Sequence, residues 1–278
     1  KLRVSTNMMA LMVLGRSTTK SMNLDLYHWL TRSFEDNRSF CVSSPLFMTK
    51  EDQDYLDELL PWVFDEVELN LPKDIIHTLV AENPEFNIKY GKDLDREEKG
   101  ARKLEIIPNS KDLMRGTMEA LNPQLEPYGI ELFWPTLICN GSDGVCPHLH
   151  TDGAGLEARL NFYGYQGGPG SVLWFSESLP QDRPGKRLHL EPDIMEKYPF
   201  WKYMREGGDD WSKVPEPLYD AITTGLRSAW VNPNCIHTVV NGGGVRITPS
   251  LKVRNINPDN KFDYIGAWTK VLEFIDGN

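Results

Sequence analysis

This chain of 278 residues has little cysteine, no excess of positive charge, no long hydrophobic run and no internal repeat. Each shortage excludes something. Four cysteines, Cys41, Cys139, Cys146 and Cys235, are too dispersed for a disulfide framework or a close thiolate quartet. They read as buried small hydrophobes in a reducing compartment, which gives a cytoplasmic expectation. A formal charge of -10 lacks the basic footprint of a nucleic-acid backbone binder. The longest apolar run, Met8 to Leu14, is far short of the roughly 20 residues that a membrane-spanning helix needs, and Lys1 to Gly15 does not read as a signal peptide. The remaining classes favour a globular protein with a small-molecule partner, neither nucleic acid nor membrane. Oligomeric state is not readable.

Periodicity divides the chain into two textures. Residues 1–130 read as mainly helical. Thr49 and Asp52 form a capping box, with Leu56, Leu59, Leu60 and Val63 at helical spacing behind it. Pro72 opens a second helix with Ile75, Ile76, Leu79 and Val80 on one face, and a third runs from Ser110 to Leu125. Lys92 to Lys103 is a charge-rich connection. From residue 131 short strands take over: Leu132 to Cys139, Leu156 to Tyr163, Ser171 to Ser176, Ala229 to Val231, His237 to Val240 and Val245 to Val253. Gly-rich punctuation separates them, as in Asn241-Gly242-Gly243-Gly244. Many short strands of even length predict a closed or sandwiched antiparallel sheet. A C-terminal helix over 258–278 carries Ile265, Trp268, Leu272 and Ile275. With no linker between the textures, one domain spans 1–278, with its β core at 131–253.

The candidate chemistry sits in His148-Leu149-His150-Thr151-Asp152 and in the distant His237. Alternate residues of a strand share a face, so His150 and Asp152 can chelate one ion while His237 adds a third donor. Two imidazoles and a carboxylate make the facial set of non-haem Fe(II) oxygenases, which leaves three coordination positions open. Strand parity alone also admits His148, which would give a three-His, zinc-like site. With His150 and Asp152 as ligands, His148 becomes a supporting donor or a substrate contact. His28, His77 and His189 have no such partners nearby in sequence and read as surface or packing residues.

Beyond His237, Arg246, Thr248 and Ser250 share one face of a strand whose other face carries Val245 and Ile247. An inward Arg with a hydroxyl two residues on suits two-point binding of a carboxylate; an outward salt bridge is the plain alternative. Fe(II), one Asp and Arg246 sum to a charge that a keto-diacid would neutralise. Such an acid chelates through its 2-oxo group and C1 carboxylate, with Arg246 on the far carboxylate. The strand from Leu156 to Tyr163 has an apolar face of Leu156, Ala158, Leu160 and Phe162. Its other face holds Glu157, Arg159, Asn161 and Tyr163, and either points into the cavity or faces solvent. Trp174 is a pocket wall or a core residue.

Together, His150-Thr151-Asp152, His237 and Arg246-Ile247-Thr248 resemble the motif of the 2-oxoglutarate/Fe(II)-dependent dioxygenases across residues 131 to 253. The resemblance implies an α+β protein with a mainly β catalytic core. That core would be a double-stranded β-helix, a cupin-like jelly-roll barrel, flanked by N-terminal helices and a C-terminal helix. It further implies iron ligation by His150, Asp152 and His237, with Arg246 and Thr248 on the 2-oxoglutarate carboxylate. Independently of the resemblance, if their strand face looks inward, Arg159 and Asn161 would touch the co-substrate or the substrate's acid group, and His148, Trp174 and Tyr163 would be substrate contacts. Fe(II), 2-oxoglutarate and O2 are the implied requirements, and hydroxylation of a small organic molecule, an amino acid or a secondary metabolite, is the implied reaction. Asp152 stands where halogenating relatives carry Gly or Ala, so hydroxylation is the expectation. Desaturation, cyclisation, epimerisation and peptide hydroxylation use the same site. A cupin-type isomerase or hydrolase, or a non-catalytic barrel, would leave Arg246 and Thr248 unexplained.

Overall fold

The computed structural model describes residues 34–57, 86–90, 103–108, 113–140, 149–152, 155–166, 170–180, 192–206, 208, 210–223, 225–241 and 246–278. Its strands are β1 (Cys41–Ser44), β2 (Phe86–Tyr90), β3 (Lys103–Pro108), β4 (Ile130–Asn140), β5 (Arg159–Phe162), β6 (Tyr165–Gln166), β7 (Gly170–Trp174), β8 (Tyr219–Ile222), β9 (Ser228–Val231), β10 (His237–Asn241) and β11 (Arg246–Asn255). The helices are one over residues 50–57, then α1 (Arg115–Leu125), α2 (Pro192–Lys197), α3 (Pro199–Arg205) and α4 (Ala267–Gly277).

The strands form two antiparallel sheets. The larger runs β1-β9-β5-β11-β4-β3-β2, with β6 also on β11; the smaller runs β10-β7-β8. An isolated bridge sets His150 beside His237, at the free edge of β10. The architecture is α+β, with helices flanking the sheets. Neither sheet closes on itself among the described residues, so the closed barrel expected from the sequence is not what these strands form. Each sheet ends at an edge, and what closes the cavity is one sheet facing the other.

β11 shows how local sequence positions the site. Ile247, Leu251 and Val253 point to one side, into a core with Leu160, Trp230 and helices α1 and α4. Arg246, Thr248 and Ser250 alternate onto the other side and are also buried. Burying each large aliphatic side chain on the core side contributes about 1.5–3 kcal/mol, which fixes the strand's parity and turns its polar residues inward. The β11–β4 register slips between Leu251 and Lys252, where Trp134 is the extra residue on β4. Trp134 adopts a positive φ of 51° and is exposed, as a bulged residue would be.

The helical surroundings depart from the sequence pattern in three ways. Residues 1–130 contribute β1, β2 and β3 as well as helix. In α4 the buried residues are Ala267, Trp268, Val271 and Phe274, with Leu272 and Ile275 half-buried and Ile265 exposed ahead of the helix. Thr49 does accept the Asp52 N–H at 3.4 Å, but the Asp52 carboxylate turns to α1, accepting from both the Thr117 N–H and hydroxyl at 2.6 Å. The helix expected after Pro72, the positions Leu59, Leu60 and Val63, and the connection from Lys92 up to residue 102 lie outside the described residues.

Candidate metal centre

The turn ahead of β10 is built from side chains that satisfy its backbone. Asn232 Oδ1 accepts the Asn234 N–H at 3.1 Å, and Ser176 Oγ accepts the Ile236 N–H at 2.8 Å. Asn234 Nδ2 in turn donates to the Leu179 carbonyl at 2.7 Å. His237 emerges from this turn with Nδ1 at 2.8 Å from the Cys235 carbonyl. That contact selects the tautomer with hydrogen on Nδ1 and leaves the Nε2 lone pair for a metal. The Cys235 thiol itself is buried and pushed up to about 12 by burial, so it stays protonated.

The same turn places the other two donors. His150 exchanges both backbone hydrogen bonds with His237 at 2.9 Å, and the Asp152 N–H donates to the Pro233 carbonyl at 3.0 Å. The result is that His150, Asp152 and His237 each offer a ligand atom within 4.8 Å of the others. The imidazole rings lie 4.4 Å apart, and Asp152 Oδ1 is 3.6 Å from His150 Nε2. Two imidazoles and one carboxylate, converging from two segments, are poised to chelate a divalent metal. The donor set suits Fe(II). His148 lies outside the described residues.

The triad opens onto a cavity between the two sheets. Polar lining comes from His150, Asp152 and His237 and, on the larger sheet, from Arg159, Asn161, Arg246 and Thr248. Apolar lining comes from Ile138, Val172, Val231, Pro233 and Val239. Arg246 is 3% exposed, and its guanidinium carbon lies 5.4 Å from the centre of the Tyr163 ring, within cation–π range. Thr248 Oγ1 is buried and has no hydrogen-bond partner among the described residues, which on a cavity wall points to a polar guest.

Arg159 and Asn161 face the cavity, not solvent. Arg159 Nε lies 2.7 Å from Asp152 Oδ2, and Nη1 donates to Ser250 Oγ at 3.0 Å. The Nε–Oδ2 contact is an ion pair by distance without the alignment of a hydrogen bond. Ser250 Oγ donates to Asn161 Oδ1 at 2.7 Å, and Asn161 Nδ2 donates to Tyr163 Oη at 3.2 Å. Burial pushes the Tyr163 phenol up, so it remains neutral. Trp174 is fully buried behind the cavity, donating from Nε1 to the Asn232 carbonyl at 3.2 Å and packing on Phe40 and Tyr219. Neither Trp174 nor Tyr163 is part of the described lining.

The residues that sequence reasoning missed are Asn232, Asn234 and Ser176. The signal was present in Asn232-Pro233-Asn234, a turn sequence directly before His237, but its role needed the long-range partners Ser176 and Leu179.

Among known proteins, no family model and no curated protein matches the chain. Solved structures that it resembles include EvdMO1, at 14% identity over 79% of this chain with a TM-score of 0.42. HygX from Streptomyces hygroscopicus, solved with nickel and 2-oxoglutarate bound, is similar at 10% identity over 74% of this chain and 86% of its own, with a TM-score of 0.35. This chain spans 48% of the EvdMO1 length. Likenesses this distant carry no argument. In this chain the His150, Asp152 and His237 donors converge on the cavity that Arg246 and Thr248 also line.

Proposed function

We propose that the chain hydroxylates an unactivated C–H bond of a small organic substrate, an amino acid or a secondary metabolite, with release of succinate and CO2. One observation carries this reading: the metal-ligating triad and the buried Arg246–Thr248 pair share one cavity. His150, Asp152 and His237 would hold Fe(II), and three further positions would remain for exogenous ligands. When bound, the iron with 2-oxoglutarate and O2 supplies the oxidising chemistry. The residues bind, orient and exclude water.

Arg246 presents a planar fork to the distal carboxylate of 2-oxoglutarate, and Thr248, whose hydroxyl has no partner among the described residues, donates to the same group. Tyr163, neutral and behind Arg246, holds the guanidinium in place without adding negative charge. Asn161 tethers Ser250 and Tyr163, so the larger sheet presents its polar row as one network. The apolar wall of Val172, Val231 and Val239 keeps the pocket poorly hydrated, which strengthens each charge pair inside it. The two facing sheets are read as the layers of a double-stranded β-helix core within a single domain.

The test is substrate-stimulated succinate formation by the Fe(II)-loaded chain across a panel of small organic acids, amino acids and secondary metabolites. Stimulation by a small molecule supports the reading. Stimulation by peptides alone would keep the oxygenase assignment and overturn the small-molecule substrate.

A further inference from the structure

The two oxygens of Asp152 have different surroundings. Oδ1 is on the side of the imidazoles, 3.6 Å from His150 Nε2. Oδ2 lies 2.7 Å from Arg159 Nε, in a pair whose members are both nearly buried. Arg159 is itself held from its other end, where Nη1 donates to Ser250 Oγ and Ser250 donates on to Asn161. These contacts span β5 and β11, and Asn161 and Ser250 face each other in register. The guanidinium therefore cannot swing away from Oδ2 without breaking a buried hydrogen bond.

A carboxylate can bind a metal through one oxygen or two, and the second mode takes a coordination position from other ligands. We propose that Arg159 is a positioning residue that reserves Asp152 Oδ2 and so limits Asp152 to one metal contact, through Oδ1. The inference rests on the Fe(II) reading of the triad and deepens it. With one contact from each of the three residues, an octahedral ion keeps three positions for exogenous ligands; with two from Asp152 it keeps two. Ser250 has the lesser role of bracing Arg159. A packing role alone for Arg159 would have no bearing on how many positions stay open.

The experiment counts water ligands on Mn2+ bound to the chain without 2-oxoglutarate, from the broadening of its electron paramagnetic resonance lines in 17O-water. The unaltered chain is expected to bind one Mn2+ carrying three waters. Arg159→Met is expected to carry two, because Asp152 becomes free to bind through both oxygens, and guanidinium ion added to Arg159→Ala is expected to restore the third. Ser250→Ala, which leaves both charges in place, is expected to lie between. Two waters in the unaltered chain overturn the proposal, as do three in Arg159→Met. Should Arg159→Met not fold, three waters in Ser250→Ala overturn it. Failure of the unaltered chain to bind Mn2+ would instead remove the metal-centre reading itself, and the proposal with it.

Discussion

His237 is oriented by Cys235, two residues before it: the imidazole Nδ1 donates to the Cys235 carbonyl at 2.8 Å, and Nε2 is left facing the cavity. The contact is to backbone, so no side-chain substitution at position 235 removes it directly. It makes the metal site partly preformed. A metal that binds only the folded chain then stabilises it, by about 2.7 kcal/mol at one hundred times its dissociation constant. Saturating Mn2+ is expected to raise the melting temperature of the unaltered chain and to leave Asp152→Ala and His237→Ala unchanged. A differential scanning measurement with and without Mn2+ checks this.

Arg246→Lys keeps a charge but loses the planar fork, and Thr248→Val keeps the shape but loses the hydroxyl. Charge-assisted hydrogen bonds of this kind are worth about 1.5–3 kcal/mol. Each variant is therefore expected to weaken 2-oxoglutarate binding roughly tenfold or more while Mn2+ affinity stays within a few-fold. Calorimetric titration of the Mn2+-loaded proteins separates the two effects. Unchanged 2-oxoglutarate affinity in Arg246→Lys would remove Arg246 from the co-substrate site.

Glu157 lies buried beneath the start of α4, where the Trp268 N–H reaches its carboxylate at 3.4 Å. Burial raises its pKa despite the backbone donors of Gly266, Ala267 and Trp268. A raised folded-state value means that the folded chain holds this proton more tightly than the unfolded chain does. The stabilisation is complete below the unfolded value, near 4.5, and is lost as pH climbs through the folded value. Glu157→Gln is expected to flatten this part of the stability profile. Urea midpoints from pH 4 to pH 8, compared between the two proteins, read the difference in slope.

Asp52 joins the helix over residues 50–57 to the first turn of α1 through two 2.6 Å contacts with Thr117. Asp52→Ala leaves a buried N–H and hydroxyl unsatisfied, at a cost of about 1–3 kcal/mol. Thr117→Val keeps the backbone contact but removes a hydroxyl that donates to Asp52 and accepts the Thr49 N–H at 3.1 Å, and it is expected to cost less. Urea unfolding of both variants tests the order. The metal site is distant in sequence and on other elements, so Mn2+ binding is expected to persist in both.

Much of the site was legible because strand parity carries it. Alternation along Val245 to Ser250 assigns Arg246 and Thr248 to one face, and hydrophobic Leu160 and Phe162 force Arg159 and Asn161 to the other. Parity could not say which face looked inward, because both faces of β5 are buried. Glu157 shares the row by number but precedes the strand, and so reaches α4 instead of the cavity. The strand Phe86–Tyr90 alternates apolar and polar residues, but over only five positions and directly before a charge-rich stretch, so its period-two signal is weak. β8, in Tyr-Asp-Ala-Ile, is too short to show any period. The Asp152–Arg159 pair was beyond reach: it depends on the register between β5 and β11, and no local pattern encodes that register.

The central claim is that Arg246 and the triad serve one 2-oxoglutarate-dependent oxidation. It is tested most directly by supplying the Fe(II)-loaded chain with 2-oxoglutarate, 18O2 and a substrate found by stimulated succinate release, then weighing the product. The account predicts succinate together with a product heavier by one oxygen drawn mainly from O2. Both should be lost in Asp152→Ala and reduced at least tenfold in Arg246→Lys at limiting 2-oxoglutarate. A chain that binds the metal yet neither binds 2-oxoglutarate nor forms succinate with any substrate would contradict it.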